Sequence, residues 1–320
     1  MPGPLSGAAA VTGGAAAQAA DRYALIGCPV EHSISPQIHA RFAAQTGEAV
    51  RYELLEAPRD GFADAVRRFA GDGGKGLNVT LPFKEEARRL ADDVSARAQA
   101  AGAVNTLVLR AARGGGAGDG NHNNADGSAN NRNDADAGGN AAFTLYGDNT
   151  DGAGFIRDLR VNCKLQPDGR AILLLGAGGA ARGIIPPLME SGAASLVIAN
   201  RGVERARTLE RLFAPLGDVT ACALDELGGR RFDGIVNATS ASLAGEVPAL
   251  PNAPGAAWGY DLAYDATGDT AFVRWLRAHG VEHAFDGLGM LVEQAAESFL
   301  LWRGVRPQTA TVIRALREQK

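Results

Sequence analysis

The sequence predicts an α/β fold in two domains, and three observations carry that prediction. From Arg22 onward, short apolar runs of strand length alternate with segments of helical periodicity, which is typical of βα units and a mostly parallel sheet. A polar stretch at residues 111–142 interrupts the alternation, and a second alternating block begins at Ala171. That block opens with the continuous apolar run 172–175, as expected for a strand buried on both faces of a sheet.

In the first block, short apolar runs predict strands, and the segments of helical pattern between them predict helices. The predicted strands are residues 23–26, 51–55, 76–79, 104–109 and 143–146. The predicted helices are residues 36–46, 60–70, 84–90 and 94–100. We expect residues 22–150 to form the first domain.

Two segments have no core-forming pattern. Residues 111–142 contain no Val, Ile, Leu, Met, Phe, Trp or Tyr, so they bury too little apolar area to offset the entropy of ordering. We expect a disordered insertion that replaces the tip of a hairpin, where added length costs little. Residues 1–21 are expected to be a disordered tail and not a signal peptide, because a basic start and a strongly apolar run are both missing.

The second block repeats the alternation. Its predicted strands are residues 172–175, 196–199, 234–236 and 259–262, and its predicted helices are residues 179–190, 203–213, 272–278, 287–302 and 308–316. We expect residues 151–285 to form a second domain. Residues 286–320 should return to the first domain as C-terminal helices, with a cleft between the two domains.

Composition excludes several classes of function. The formal charge of −4 leaves no basic footprint for nucleic acid. No apolar run approaches the roughly 20 residues of a membrane span. Cys28, Cys163 and Cys222 lie far apart, which argues against a disulfide framework or a metal site and favours a reducing compartment. We therefore expect a cytoplasmic protein, monomeric or homodimeric, that binds no metal.

A glycine-rich turn follows the first strand of the second block and opens its first helix. The turn reads Gly176-Ala177-Gly178-Gly179-Ala180-Ala181, in which backbone N–H groups at a helix N-terminus approach a pyrophosphate. A purely structural turn or an S-adenosylmethionine site has a similar pattern. Downstream, Asn200, Arg201 and Arg205 stand where an NAD enzyme carries an acidic residue, which favours the 2′-phosphate of NADP. The alternative is that both arginines are solvated residues at a helix start.

Lys84 is unusual because lysine is rare in this chain. It occurs only at positions 75, 84, 164 and 320, and every other basic residue apart from histidine is arginine. A lysine releases a proton near neutral pH when its surroundings lower its pKa, and an arginine does not. Lys84 is therefore a candidate for proton chemistry. The alternative is an exposed lysine at the start of a helix.

Three further polar groups lie in apolar surroundings. Ser33 and Ser35 point the same way in an extended chain, and Ser35 is the predicted N-cap before Pro36, so the pair suits a carboxylate. Plain capping is the alternative. Asp151 at a helix start also has a structural explanation in the helix dipole. Asn105, between a loop and a strand, is an odd choice for packing alone.

In this order, these motifs resemble the shikimate dehydrogenase family. The resemblance runs from Arg22 to the C-terminus outside the insertion. The segments that carry it are Ser33-Ile34-Ser35-Pro36, Asn78-Val79-Thr80-Leu81-Pro82-Phe83-Lys84, residues 102–106, 147–152 and 176–180, Asn200-Arg201, residues 237–240, 260–264 and 286–291. Where the family often has threonine after Asn-Arg, this chain has Gly202.

The resemblance implies an N-terminal α/β substrate domain, a Rossmann-like NADP-binding domain and reversible reduction of 3-dehydroshikimate to shikimate with NADPH. It implies that Lys84 and Asp151 are catalytic and also bind substrate. The other substrate-binding residues would be Ser33, Ser35, Thr80, Asn105, Tyr264 and Gln294. The cofactor-binding residues would be Gly176, Ala177, Gly178, Gly179, Ala180, Asn200, Arg201, Arg205, Leu262, Gly287 and Met290. Two alternatives remain: a quinate/shikimate dehydrogenase that uses NAD, and a dinucleotide-binding sensor without catalysis.

Overall fold

The computed structural model describes residues 19–111, 143–250, 254–265 and 268–319. Within these ranges the chain forms two six-stranded sheets with helices packed against them, which confirms the predicted α/β fold. The tail and insertion expected at residues 1–21 and 111–142 lie outside the described residues, apart from positions 19–21 and 111. Asp21 and Ala111 belong to strands, so the prediction of disorder was wrong at these two positions.

The strands and helices follow one another in the predicted order. The strands are β1 Asp21–Gly27, β2 Val50–Glu56, β3 Gly74–Val79, β4 Asp93–Val94, β5 Thr106–Ala111, β6 Phe143–Asp148, β7 Ala171–Leu175, β8 Ser195–Ala199, β9 Val219–Cys222, β10 Gly234–Asn237, β11 Trp258–Asp261 and β12 His283–Phe285. The helices are α1 Ser35–Thr46, α2 Phe62–Gly71, α3 Lys84–Leu90, α4 Ala96–Ala101, α5 Asp151–Arg157, α6 Gly179–Glu190, α7 Val203–Phe213, α8 Ala271–Ala278, α9 Leu288–Arg303 and α10 Thr309–Arg317.

The first sheet has the strand order β2-β1-β3-β5-β6-β4 and is mixed. Strands β1, β2 and β3 are parallel, whereas β5 pairs antiparallel with both β3 and β6. The β5–β6 ladder runs from Thr106 opposite Asp148 to Ala111 opposite Phe143, which confirms the predicted hairpin. The helix predicted at residues 94–100 was wrong at its start, because Val94 pairs with Gly147 as part of β4.

The second sheet is parallel throughout, in the order β12-β11-β10-β7-β8-β9. The chain starts at the centre with β7, builds outward to β9, and then crosses back to β10. This is the order of a doubly wound dinucleotide-binding sheet, whose ligands lie at the carboxyl ends of the central strands. Gly176 follows β7 and Asn200 follows β8 at that edge. The sequence pattern missed β9 and β12, which have four and three residues.

Helices α5 and α9 connect the two sheets, and glycine lets α5 lie close to its neighbours. A Cβ at Gly152 would lie 2.2 Å from Cγ of Pro187 in α6. A Cβ at Gly154 would lie 2.6 Å from the backbone nitrogen of Gln294 in α9. Helix α5 is therefore held between α6 and α9 at contacts that no larger residue allows. This packing determines where Asp151, the first residue of α5, is placed.

The C-terminal helices pack against the first sheet. Val292 and Phe299 of α9 and Val312 of α10 share a buried cluster with Ile38 and Phe42 of α1. Among the described residues, no helix has both the length and the apolar character needed to cross a membrane.

His39 of α1 is fully buried among aromatic rings. Its ring stacks on Tyr52, with centroids 4.0 Å apart and planes at 6°, and it lies near Phe42, Phe299 and Trp302. Neither ring nitrogen has a hydrogen-bond partner within the described part of the chain. Burial, which the neighbouring Asn78 amide only partly offsets, lowers the pKa of His39 to about 3. His39 is therefore neutral in the folded protein at physiological pH.

This buried histidine predicts a loss of stability in acid. Below the ordinary histidine pKa of about 6.5, the unfolded chain binds a proton that the folded protein rejects until about pH 3. The free energy of unfolding should therefore fall through this window, by at most about 1.4 kcal/mol per pH unit. Urea denaturation at several pH values, comparing the wild type with His39→Phe, measures the slope.

Two buried carboxyls act in the opposite direction but remain in both proteins. Burial raises the pKa of Asp158 and of Asp261, so the folded protein gains their protons before the unfolded chain does. The difference between wild type and His39→Phe removes this common contribution. Parallel stability profiles for the two proteins would show that His39 does not cause the acid sensitivity.

Candidate active site

The centre of the candidate site is an ion pair between two helix N-termini. Lys84 is the first residue of α3 and Asp151 is the first residue of α5. Nζ of Lys84 lies 2.6 Å from Oδ2 of Asp151, and the side chains are only 13% and 7% exposed. A cation at a helix N-terminus opposes the helix dipole, so Lys84 is a poor choice for the stability of α3. The buried pair therefore favours a role for Lys84 in proton chemistry over that of an exposed lysine at a helix start.

Asn105 holds the other side of the Asp151 carboxylate. Its Nδ2 donates to Oδ1 of Asp151 at 2.8 Å and to Oγ1 of Thr150 at 2.9 Å. Oε1 of Gln294, from α9, accepts from the same amide at 3.3 Å. The structure thus brings together Lys84, Asn105, Asp151 and Gln294. Each oxygen of Asp151 has one donor, which fixes the orientation of the carboxylate.

Ser33, Ser35 and Tyr264 form a second polar group. Ser33 Oγ donates to Ser35 Oγ at 3.0 Å, and Ile34 and Tyr264 pack against the same buried cluster. Burial raises the pKa of Tyr264, and the Ile34 backbone and the Ser33 side chain only partly offset the effect, so its hydroxyl stays neutral. The predicted N-cap role of Ser35 was wrong. Helix α1 begins at Ser35 itself, and the Ser33 hydroxyl accepts the Ser35 backbone N–H at 3.2 Å.

Thr80 stands at the end of β3, beside the end of β1. Its backbone N–H donates to the carbonyl of Ile26 at 2.9 Å, and a Cβ at Gly27 would lie 2.4 Å from its methyl group. The methyl group therefore faces the protein. Within the described chain, the Thr80 hydroxyl makes no hydrogen bond, so it is available to a ligand.

The glycine turn has the shape that a pyrophosphate requires. Gly176 has φ +104°, and a Cβ there would lie 3.0 Å from the carbonyl of Ala238. Gly178 caps α6 without a side chain, and a Cβ there would meet no atom within 4 Å, so the backbone stays open to a ligand. A Cβ at Gly179 would lie 3.7 Å from Cβ of Lys84. The turn, which also contains Ala177 and Ala180, therefore lies directly beside the ion pair.

The region after β8 is basic and open. Arg201 and Arg205 are exposed and make no side-chain ion pair or hydrogen bond within the described part of the chain. Glu204 pairs with Arg207 at 2.6 Å, so its charge is not directed at either of them. Asn200 bonds to the backbone carbonyl of Gly202 at 2.9 Å. Two unpaired guanidiniums at this edge fit a phosphate group on a ribose.

The remaining predicted cofactor residues lie where the second sheet meets α9. A Cβ at Gly287 would lie 2.3 Å from the carbonyl oxygen of Leu262, so only glycine fits there. Met290 is buried in the main cluster of the second sheet, and Leu262 packs against that cluster. Met290 and Gln294 lie one turn apart on α9 and so face the same way. Among the described residues, no group of three His, Cys, Asp or Glu side chains could hold a metal ion.

Sequence reasoning gave no role to a set of buried polar residues behind the site. Asn78, Thr106, Thr150 and Ser298 are buried and hydrogen-bonded to one another and to Asn105. Three of them, Asn78, Thr106 and Thr150, lie inside the segments that carry the family resemblance. Ser298 lies four residues after Gln294, on the same face of α9, and that spacing is the signal that could have found it.

Three family profiles match the chain. They are described as the shikimate dehydrogenase substrate binding domain, over residues 25–107, shikimate / quinate 5-dehydrogenase, over residues 162–244, and the shikimate 5'-dehydrogenase C-terminal domain, over residues 287–317. Together they include parts of both sheets and the C-terminal helices.

Similar proteins agree with these profiles. A shikimate dehydrogenase (NADP(+)) of Alkalilimnicola ehrlichii is 51% identical, over 93% of this chain and 99% of its own length. The crystal structure of an Ael1 enzyme from Pseudomonas putida matches with a TM-score of 0.76 and 40% identity, covering 93% of this chain and 98% of that one. The shikimate 5-dehydrogenase from Thermus thermophilus, in complex with NADP(H) and shikimate, matches with a TM-score of 0.72 and 30% identity over 93% and 99%. This chain therefore belongs to the shikimate dehydrogenase family.

Proposed function

We propose that the protein catalyses the reversible reduction of 3-dehydroshikimate to shikimate with NADPH. The observation that carries this proposal is the buried Lys84–Asp151 pair, held at 2.6 Å beside the glycine turn. NADPH, when bound, supplies the hydride. A carbonyl that gains a hydride becomes an alkoxide, and it needs a proton donor or a positive charge nearby. The Lys84 ammonium provides both.

Asp151 and Asn105 prepare Lys84 for this role. The Asp151 carboxylate holds Nζ of Lys84 in one position, and Asn105 holds the carboxylate from its other oxygen. In the reducing direction Lys84 donates its proton to the developing alkoxide and regains one from solvent. In the oxidising direction the substrate hydroxyl loses its proton to the same pair.

The other polar groups suit the rest of the substrate. The hydroxyls of Ser33, Ser35 and Tyr264 form a cluster of neutral donors for the carboxylate. Thr80, Asn105 and Gln294 offer hydroxyl and amide groups to the ring hydroxyls. These assignments rest on the clustering of the side chains and on the family resemblance.

The exposed arginines after β8 predict the cofactor preference. Replacing Arg201 and Arg205 by alanine together should raise KM for NADPH by about 10- to 100-fold, because two charge-assisted contacts to phosphate are lost. KM for NADH should change little, since NADH has no 2′-phosphate. Steady-state kinetics with both cofactors measure the ratio. Arg207→Ala, on the same helix but paired with Glu204, is the matched control.

The experiment that tests the function is a substrate panel. Shikimate and quinate are each offered with NADP and with NAD, and reduced cofactor is followed by absorbance. Fast turnover of shikimate with NADP supports the proposal. Preferred turnover of quinate with NAD would assign the broader quinate/shikimate activity instead. NADPH binding without any turnover would assign a sensor, against which the complete Lys84, Asn105 and Asp151 set argues.

We further propose that the protein acts in the cytoplasm on small molecules, as a monomer or homodimer. Its negative formal charge and the wide separation of its three cysteines support a cytoplasmic location. We also propose the domain division at about residues 150 and 285, because each sheet lies within one of these ranges.

A further inference from the structure

A line of hydrogen bonds leads from Tyr52 in β2 toward the active site. The Tyr52 hydroxyl donates to Oδ1 of Asn78 at 2.8 Å. An amide that accepts at its oxygen must present its nitrogen on the other side, so this bond sets the orientation of Asn78.

The Asn78 amide continues the chain of hydrogen bonds with the same direction of donation. Its Nδ2 donates to Oγ of Ser298 at 2.9 Å and to Oγ1 of Thr106 at 3.2 Å. The Ser298 hydroxyl can then give its own proton to the backbone carbonyl of Gln294 at 3.1 Å. The Thr106 hydroxyl donates to Oδ1 of Asn105 at 3.0 Å, and its oxygen also lies 2.8 Å from Oγ of Ser298.

The chain of donors ends on the catalytic carboxylate. Oδ1 of Asn105 accepts from the Thr106 hydroxyl and from the Thr150 backbone N–H, the latter at 2.8 Å. With its oxygen occupied by donors, Asn105 must point its nitrogen toward Asp151, where it donates at 2.8 Å. A reversed Asn105 amide would place two oxygens against each other and push Asp151 out of line with Lys84.

We infer that Tyr52 is a positioning residue for the Lys84–Asp151 pair, acting through a one-way hydrogen-bond relay from Tyr52 through Asn78, Thr106 and Asn105 to Asp151. The inference rests on the proposed function of that pair. Asn78, Thr106 and Asn105 are all buried. Removing one donor therefore leaves a buried acceptor without a hydrogen bond, which is unfavourable. The ring of Tyr52 is held in place by its stacking on His39.

Tyr52→Phe removes only the first donor of the relay. We expect kcat to fall by about tenfold, with KM for shikimate and for NADP changed less than about twofold, because the relay orients the reacting pair and not the ligands. Tyr23→Phe is the matched control. Tyr23 lies opposite Tyr52 in the β1–β2 register, but its hydroxyl faces Arg303. An unchanged kcat in Tyr52→Phe would overturn the inference.

A double-mutant cycle separates a relay from unrelated structural damage. Thr106→Val removes the hydroxyl of the third residue of the relay while keeping the shape of the side chain, and we again expect about a tenfold loss of kcat. If Tyr52 acts through Thr106, the double variant should lose about tenfold, whereas independent effects would multiply to about 100-fold. Thr106→Ser should restore kcat. Multiplying losses, or failure of serine to restore kcat, would each contradict the relay.

The inference can fail separately from the proposed function. If the wild type turns over shikimate but the cycle shows no coupling, only the relay is wrong. If the wild type has no activity, the proposed function is wrong, and the same cycle is then measured in the free energy of unfolding by urea. Additive changes in that measurement would overturn the relay as well.

Discussion

Lys84→Ala is expected to lower kcat by about 10²- to 10⁴-fold, the usual loss when an acid–base group is removed. KM for shikimate should change only modestly, because the charge of Lys84 matters most when the alkoxide develops. The motivation is the buried contact of Nζ with Asp151. Steady-state kinetics in both reaction directions at saturating cofactor measure the effect.

Lys75→Ala is the matched control for this prediction. Lys75 is an exposed lysine in β3, the strand that leads into the Lys84 segment, so its loss should leave kcat unchanged. Lys84→Arg keeps the positive charge but replaces the compact ammonium by a planar group that does not release its proton. A near-normal kcat in Lys84→Ala would remove Lys84 from the mechanism.

Gly154→Ala is expected to reduce both stability and activity. The added Cβ would lie 2.6 Å from the backbone nitrogen of Gln294, so α5 and α9 must separate. Overpacking of this kind costs about 1–3 kcal/mol in the free energy of unfolding. Displacement of Asp151 and Gln294 by about 1 Å should lower kcat by up to about 10²-fold. Thermal unfolding and kinetics on the same preparation measure the two losses together.

Gly71→Ala is the control for this change. Gly71 ends α2, and a Cβ there meets no atom within 4 Å. The same substitution should therefore be neutral or slightly stabilising at that position, because alanine loses less entropy on folding. If Gly154→Ala kept the melting temperature and kcat of the wild type, the prediction would be wrong, because α5 and α9 would then accommodate the added Cβ.

Regular patterns in the sequence predicted most of the fold. The run at residues 172–175 identified β7 because a central parallel strand is apolar on both faces. Strand β9, Val219–Cys222, has no such pattern, and β12, His283–Phe285, is too short to show one. Both form because the edge of a neighbouring strand is available to them. Helix starts shifted where a side chain competed with the expected cap, as Ser33 does at α1.

The sequence selected the residues of the candidate site but not their geometry. Short motifs marked Lys84 and Asp151, yet 67 positions separate them in the chain, and only the tertiary packing of the helices that carry them brings them together. Asn78 and Ser298 are 220 positions apart. Their hydrogen bond depends on how α9 returns to the first sheet, which no local pattern reports. Short sequence motifs thus selected the groups, and tertiary packing decided which of them are in contact.

The register of the β5–β6 hairpin has a consequence for how this protein can evolve. Its ladder closes at Ala111 opposite Phe143, five residues beyond the pair Thr106 and Asp148 beside the active site. At about 3.4 Å per residue, that is about 17 Å from the chemistry. Sequence can be gained, lost or exchanged between residues 111 and 143 without changing the alignment of the two strands. The chain can therefore change in length at that point at a free-energy cost that grows only slowly with loop length, and at a distance from the catalytic pair.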